Sequence, residues 1–394
     1  MLKAAKLIWI VGLSGIMMAC HANQNKATEA QNQQESTVKN GNSKAQEQQY
    51  QVEKIALFNE PWAIATLPND QLLITEKSGI LKLFDPQSKR SLNVAGVPQV
   101  AYGGQGGLGD VSIHPNFNNN AWLYLSYAEE KNGLFGAVVI RAKLDLSNIE
   151  APKLTDIERI WEQVPKVSGQ GHYAHRIVFD QQANLWISSG ERQKFQPAQD
   201  MQSNLGKIVY LYDDGRAQES NPFAKQGGVS AQIWSLGHRN PLGMAFDHQN
   251  RLWVAEMGPK GGDEFNLIEK GKNYGYPIVS NGDHYDGKQI PNHETRPEFI
   301  APKLDWSPVI SPSSLIFYKS NYFPQWKNKA LIGGLSSKAI IVVDPQSEPV
   351  REIQRLDMGV RVRDLHEAKD GTIWGIEDGP QAYLFKLKAK LESE

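Results

Sequence analysis

The chain has 394 residues, with 42 Lys and Arg against 43 Asp and Glu, and its formal net charge is −1. This balance offers no basic excess, so no nucleic-acid partner is expected. Hydrophobic residues make up 40%, enough for a sizeable core, and 34 Gly, 21 Pro and 10 Trp favour turns and strands over long helices. A single cysteine, Cys20, excludes an internal disulfide and a thiolate metal cluster.

Residues 1–19 have the layout of a secretory signal peptide. Lys3 and Lys6 precede an apolar run that is too short for a confident membrane span. The segment Met17-Met18-Ala19-Cys20 resembles a bacterial lipoprotein cleavage box, although Met17 stands where Leu is usual, which leaves a plain signal peptide open. We expect an exported, periplasmic protein that is anchored to the outer membrane through a lipid on Cys20.

Residues 20–49 predict a disordered tether behind that anchor. Beyond Cys20 they consist mainly of Gln, Asn, Lys, Glu, Ser and Ala, so they bury too little apolar surface to offset the entropy of ordering. The folded domain is expected to span residues 50–394.

A short pattern recurs through this domain: an apolar strand, a polar turn, and a second strand that is often rich in Trp or β-branched residues. Such a unit predicts a β-hairpin. Six copies with no intervening amphipathic helices favour an all-β, six-bladed β-propeller with four-stranded antiparallel blades over a pair of β-sandwiches. The copies are Ile64–Thr75, Val111–Leu125, Ile177–Ile187, Met244–Val254, Ala330–Val343 and Asp364–Gly375.

Polar clusters stand at the ends of these strands, where the loops of a propeller meet at one mouth of the channel. A His beside several Arg and an Asn suits an anionic ligand together with a general base. A Gly-Pro turn with carboxylates nearby suits Ca²⁺, which prefers oxygen ligands. The clusters are Gly169–Arg176, Gly190–Arg192, Leu236–Gly243, Glu256–Glu264 and Arg361–Asp364.

Taken together, these segments resemble the soluble glucose and aldose sugar dehydrogenases that depend on pyrroloquinoline quinone (PQQ), which are six-bladed propellers. The resemblance covers roughly residues 52–388. Short loops and Gly190-Glu191-Arg192 place it nearer the aldose branch. The segments that carry it are Gln105–Leu108, Gly171–Phe179, Gly190–Arg192, Leu205–Lys207, Gly237–Pro241, Gly258–Glu264, Asn273–Pro277 and Arg361–Asp364.

The resemblance implies a reaction. His172 would take the proton of the sugar C1 hydroxyl, the C1 hydride would pass to C5 of PQQ, and the product would be the lactone. Glu191 would orient His172 and keep it basic. Gln196 would approach the substrate or the metal.

The resemblance also implies the binding residues. Carbonyls of Gly258 and Pro259 would hold an active-site Ca²⁺ that polarises the quinone, and Glu264 with the Tyr274 carbonyl would form a second, structural Ca²⁺ site. The PQQ carboxylates would meet Gln105, Arg239, Asn240, Arg361 and Arg363.

Two positions depart from the family pattern. Ser336 stands where relatives have a Lys that contacts the quinone, and Lys338 is expected to substitute for it if both lie on one face of a strand. Gly171 stands where the glucose branch has an Asp before the catalytic His.

Three functions therefore remain open: the sugar dehydrogenase, a non-enzymatic propeller that binds partners without a cofactor, and a metal-dependent propeller lactonase or hydrolase. Ser336 favours the second, while the Arg-rich channel argues against the third. For the dehydrogenase, the expected partners are an aldose sugar, a periplasmic quinone or cytochrome as electron acceptor, and the membrane through the lipid anchor.

Overall fold

The structure is a computed structural model that describes residues 50–390. Within this range, 24 strands form six four-stranded antiparallel sheets. The innermost strand of each sheet contacts the innermost strand of the next, and the last contacts the first, so the sheets close into a ring. The predicted six-bladed propeller with four-stranded blades is confirmed.

The strands in chain order are β1 (Tyr50–Phe58), β2 (Pro61–Thr66), β3 (Leu72–Glu76), β4 (Ile80–Asp85), β5 (Arg90–Val94), β6 (Leu108–Ile113), β7 (Trp122–Lys131), β8 (Leu134–Asp145), β9 (Lys153–Glu162), β10 (Ala174–Phe179), β11 (Leu185–Ser189), β12 (Lys207–Leu211), β13 (Ile233–Leu236), β14 (Pro241–Phe246), β15 (Leu252–Glu256), β16 (Asp263–Leu267), β17 (Leu304–Trp306), β18 (Pro312–Phe317), β19 (Ala330–Gly334), β20 (Ala339–Asp344), β21 (Arg351–Asp357), β22 (Val362–Glu367), β23 (Ile373–Glu377) and β24 (Ala382–Ala389). The described helices are short: α1 (Phe117–Asn120) and 3₁₀ turns at Gln196–Ala198, Ala224–Gln226, Gly228–Gln232, His293–Thr295 and Pro324–Trp326.

The ring is closed by its first and last described strands. Strand β1 pairs antiparallel with β24, so the sixth blade has the order β22-β23-β24-β1. The other five blades each consist of four consecutive strands. This pairing covers the edge that β24 would otherwise expose and ties the start of the domain to its end.

The recurring turn in the third and fourth blades has a physical cause. One carboxylate oxygen of Asp180 accepts two backbone N–H groups of the turn, and the other accepts the indole N–H of Trp186 at 3.2 Å. Asp247 repeats this arrangement with Trp253 at 3.0 Å. Each Asp therefore shapes the hairpin and fixes the Trp of the strand that follows it.

The fifth blade differs from the predicted arrangement. The hairpin predicted at Ala330–Val343 is β19–β20, the second and third strands of its blade, whereas the other five predicted hairpins are inner pairs. The true inner strand, β18, begins Pro-Ser-Ser and so lacks a strong apolar alternation. Its Ser313 hydroxyl instead hydrogen-bonds to the carbonyl oxygens of Gly333 on β19 and Val362 on β22.

A buried guanidinium joins the inner strands. Arg176 on β10 bonds or pairs with oxygen atoms on four other inner strands, belonging to Asp110, Leu242, Ser313 and Asp364. Asp364 also accepts the backbone N–H of Ile64 on the remaining inner strand at 2.9 Å. All six blades thus meet at one hydrogen-bonded ionic cluster, which fixes the loops above it relative to one another.

The predicted signal peptide, the tether and Cys20 lie outside the described residues. Between residues 50 and 390, no helix has the length and apolar character needed to cross a bilayer.

Candidate active site

Loops at one end of the propeller enclose two cavities. The channel cavity, of about 420 Å³, is lined by residues that include Gln105, His175, Arg361, Arg363 and Asp378. The loop cavity, of about 360 Å³, is lined by residues that include His172, Glu191, Phe195, Arg239, Tyr276 and Tyr285. Two hydrogen bonds join their walls: His172 N–H to Gln105 Oε1 at 2.7 Å, and Arg239 Nη1 to the Met257 carbonyl at 3.0 Å.

The two predicted catalytic residues meet at the loop cavity. Nδ1 of His172 lies 2.5 Å from Oε1 of Glu191. Because a carboxylate is an acceptor, this contact assigns the Nδ1–H tautomer and leaves Nε2 with a free lone pair. The second Glu191 oxygen accepts the backbone N–H groups of Lys194 at 2.5 Å and Phe195 at 2.7 Å, so the carboxylate cannot rotate away.

The electrostatics keep His172 neutral. Burial lowers the pKa of His172, and the Arg239 and Arg192 guanidinium groups lower it further, while Glu191 opposes the shift. Burial opposes ionisation of Glu191, yet its bonds from His172 and the backbone outweigh that cost and lower its pKa. A neutral imidazole held against an ionised carboxylate is the arrangement that a general base requires.

The backbone around His172 is strained, and Arg192 holds it in place. His172, Ala174 and His175 all have positive φ, at 47°, 58° and 53°. The buried Arg192 guanidinium donates to carbonyls of Gly171 at 2.8 Å, Gly169 at 2.5 Å and Phe135 at 2.7 Å. Strain of this kind persists only where neighbouring structure enforces it, and it concentrates at functional sites.

Gly190 permits the close approach of the segments that carry His172 and Glu191. A Cβ at this position would lie 2.0 Å from the His172 carbonyl oxygen. Any larger residue would therefore push the His172 loop away from Glu191.

Arg239 and Asn240 lie directly before β14, and Arg239 lines the loop cavity. Arg239 bonds the Met257 carbonyl through Nη1, but its Nε has no hydrogen-bond partner, and neither does Oδ1 of the fully buried Asn240. Buried polar atoms are nearly always satisfied, so the Nε of Arg239, a residue that lines the loop cavity, is available to a ligand bound there.

The channel cavity carries a pair of arginines on one carboxylate. Arg361 Nε bonds Asp378 Oδ2 at 2.7 Å, and Arg363 bonds Asp378 Oδ1 through Nε at 2.8 Å and Nη2 at 2.5 Å. Burial opposes ionisation of Asp378, but the two arginines outweigh it and lower the pKa of this carboxyl. The remaining guanidinium N–H groups face a cavity that suits an anion.

Gly258 and Pro259 form the turn after β15. The Gly258 N–H donates to Asp263 Oδ1 at 2.9 Å, and burial raises the pKa of Asp263 to about 6. Among residues 50–390, no hydrogen bond ends on the carbonyl oxygen of either turn residue. Pro259 lines the loop cavity, so its neighbourhood offers free oxygen ligands beside His172 and Glu191.

Glu264 and the Tyr274 carbonyl have partners within the protein. Glu264 bonds Asn266 at 2.9 Å, and burial together with the Glu256 charge raises its pKa well above the usual value. The Tyr274 carbonyl lies 3.1 Å from Nε2 of His293. In the part of the chain that the structure describes, no group of three or more His, Cys, Asp or Glu side chains is arranged to hold a metal ion.

The family model "Glucose / Sorbosone dehydrogenase" matches residues 58–386, nearly the whole propeller. The chain belongs to the glucose/sorbosone dehydrogenase family.

Two comparisons support this membership and one supports the fold. Aldose sugar dehydrogenase YliI of Escherichia coli is 39% identical over 344 residues, covering 84% of this chain and 91% of the relative. The crystal structure of soluble aldose sugar dehydrogenase from E. coli in the apo form matches with a TM-score of 0.81 and 37% identity, over 86% of this chain and all of the other. The PQQ-bound form of aldose sugar dehydrogenase from Streptomyces coelicolor shares the fold, with a TM-score of 0.71 at 23% identity over 86% and 98% of the two chains.

Six of the predicted site residues line neither cavity: Gln196, Asn240, Gly258, Glu264, Tyr274 and Lys338. Lys338 is exposed in the turn between β19 and β20. Ser336 lies in the same turn, so the two residues do not share a face of a strand, as the expected substitution of Lys338 for the missing lysine required. Gln196 is exposed on the 3₁₀ turn, and Gln193 and Phe195 line the loop cavity in its place.

Other residues of this glucose/sorbosone dehydrogenase site carried little signal in the sequence. Arg192 stood within the Gly-Glu-Arg segment without an assigned role. Asp378 and Tyr285 reach the site from loops far along the chain from His172, so no local pattern marks them.

Proposed function

We propose that the chain oxidises aldose sugars at C1 to the lactone, with PQQ in the channel cavity and the sugar in the loop cavity. The observation that carries this proposal is the 2.5 Å contact between His172 Nδ1 and Glu191 Oε1, beside a cavity lined by two arginines that can bind an anion. Family membership supports sugar oxidation, and the Streptomyces relative is described as PQQ-bound.

His172 acts as the base. Its Nε2 lone pair accepts the proton of the C1 hydroxyl, and Glu191 stabilises the imidazolium that results. When bound, PQQ would supply the acceptor for the C1 hydride, and Ca²⁺ would polarise its quinone. The sugar therefore loses one hydride and one proton, which gives the lactone without a further reactant.

The unpartnered Nε of Arg239 fits a polar group of this cofactor, and Arg361 and Arg363 fit its carboxylates. The free carbonyls of Gly258 and Pro259 would hold the active-site Ca²⁺. Glu264 and the Tyr274 carbonyl would hold a second Ca²⁺ if His293 yields the carbonyl. We further propose export, lipid attachment at Cys20, a periplasmic site at the outer membrane, and a quinone or cytochrome as electron acceptor.

The test is reconstitution. Purified protein is incubated with PQQ and Ca²⁺, and reduction of an artificial dye is followed after addition of aldoses. We expect reduction that needs protein, PQQ and sugar together, and that chelation of Ca²⁺ abolishes it. Absence of dye reduction with every aldose, combined with no thermal shift on PQQ addition, would refute the proposal. Lactone hydrolysis without PQQ would favour the hydrolase instead.

A further inference from the structure

The outer wall of the loop cavity comes from the connection between β16 and β17, residues 268–303. Tyr276, His284, Tyr285, Asp286 and Lys288 of this connection line the cavity. Phe195 approaches the same cavity from the loop after β11. Three aromatic side chains therefore stand around the space next to His172.

The base of this wall is fixed by reciprocal hydrogen bonds. The side-chain amides of Gln199 and Asn273 bond each other at 3.1 and 2.7 Å, and Gln199 also donates to the Tyr276 carbonyl at 2.7 Å. Further along, the backbones of Lys260 and Asp283 exchange two hydrogen bonds at 2.9 and 3.1 Å. Tyr276 and Tyr285 therefore belong to a segment that hydrogen bonds hold in place.

Two of the three rings are strongly exposed. Tyr285 is 74% exposed and Phe195 43%, while Tyr276 is buried. Phe195 lies 6.3 Å from Tyr276 between ring centroids, and the Arg239 guanidinium is 5.8 Å from the Tyr276 ring and 5.9 Å from the Tyr285 ring. Exposed apolar rings that line a concave site beside polar groups are typical of ligand-binding surfaces.

We propose that Tyr285, together with Phe195 and Tyr276, binds the apolar C–H face of the sugar ring and that Tyr285 determines sugar affinity. This inference rests on the proposed function. A pyranose carries its hydroxyls around the edge and C–H groups on its faces, so a flat aromatic ring removes the face from water while the edge stays free for Gln193 and Asp286.

The test compares Tyr285→Ala and Tyr285→Phe in protein loaded with PQQ and Ca²⁺. Tyr322→Ala is the matched control, because Tyr322 is 39% exposed in the connection between β18 and β19, away from both cavities. We expect Tyr285→Ala to raise KM for D-glucose about three- to tenfold with kcat unchanged, because the variant loses one aromatic contact with the bound sugar. Tyr285→Phe and Tyr322→Ala should keep the wild-type KM, and PQQ affinity should be equal in all four proteins.

A second measurement separates this inference from the proposed function. 1,5-Anhydro-D-glucitol lacks the C1 hydroxyl and cannot be oxidised, so its dissociation constant from an NMR titration reports binding alone. We expect Tyr285→Ala to raise this constant by the same factor as KM. An unchanged constant and KM would overturn the inference while leaving wild-type sugar oxidation intact. If the wild-type protein oxidises no aldose, the proposed function fails, and the titration still decides whether Tyr285 binds a sugar ring.

Discussion

Nδ1 of His172 donates to Oε1 of Glu191 across 2.5 Å, although His172 lies in the connection from the second blade to the third and Glu191 follows β11. The contact fixes the tautomer of the imidazole and directs Nε2 away from the protein's own carboxylate. It also sets the proton affinity of the base, because Glu191 raises the pKa of His172 while burial, Arg239 and Arg192 lower it.

The pH dependence of catalysis follows from that balance. Since the net effect lowers the pKa of His172, kcat/KM should stay constant as pH falls through about 6.5, the ordinary value for histidine, and decline only below it. The measurement is kcat/KM for one aldose across the acid range at constant ionic strength. A decline that begins at or above pH 6.5 would contradict the assignment.

Replacing Glu191 by Gln should lower kcat by more than about tenfold, because the imidazolium formed in the reaction loses its counter-charge. The acid limb of the pH profile should also move to lower pH, since the carboxylate no longer raises the pKa of His172. A merely structural role for Glu191 would lower the amount of active protein without moving this limb.

Arg192 should contribute to the stability of the folded protein. The guanidinium reaches three carbonyls through three different nitrogens, and a lysine has only one nitrogen at the end of its side chain. Arg192→Lys should therefore reduce the free energy of unfolding by about 2–4 kcal/mol in urea denaturation. The matched control is Arg216→Lys, whose side chain is 72% exposed and pairs with Asp214. Equal unfolding midpoints for both variants would show that Arg192 does not support the His172 loop.

Arg363→Gln tests the anion site in the channel cavity. Loss of one charged donor should raise the dissociation constant for PQQ at least about tenfold, and raise it less at high salt. Fluorescence titration of the metal-loaded protein measures this constant. Arg90→Gln, which removes an exposed guanidinium paired with Glu150, should leave it unchanged. A similar loss of affinity in both variants would point to overall charge rather than to the site.

The propeller fold could be predicted from the sequence because its hairpins form between residues that are close along the chain. The Asp-to-Trp turn seen at Asp180 and Trp186 closes within seven residues, and such a unit leaves a repeated signal. The pairing of β1 with β24 joins opposite ends of the domain, and the polar inner strand β18 resembles a loop, so neither could be predicted from local patterns.

The candidate site likewise contains residues that the sequence could identify and residues that it could not. His172 and Glu191 stand in short motifs that the family resemblance could interpret, and the structure brings them into contact. The role expected of Lys338 depended on a strand that the turn before β20 does not provide. Asp378 and Tyr285 act through contacts between distant loops, which only the folded ring defines.

Single-turnover reduction of bound PQQ tests the central claim most directly. Wild-type protein and His172→Ala are each loaded with PQQ and Ca²⁺, mixed with one aldose, and followed by absorbance without any dye. We predict that both bind PQQ, that the wild-type spectrum changes to that of the reduced cofactor, and that His172→Ala reacts about 10²–10⁴-fold more slowly. No spectral change in the wild type, or equal rates in the two proteins, would contradict the account.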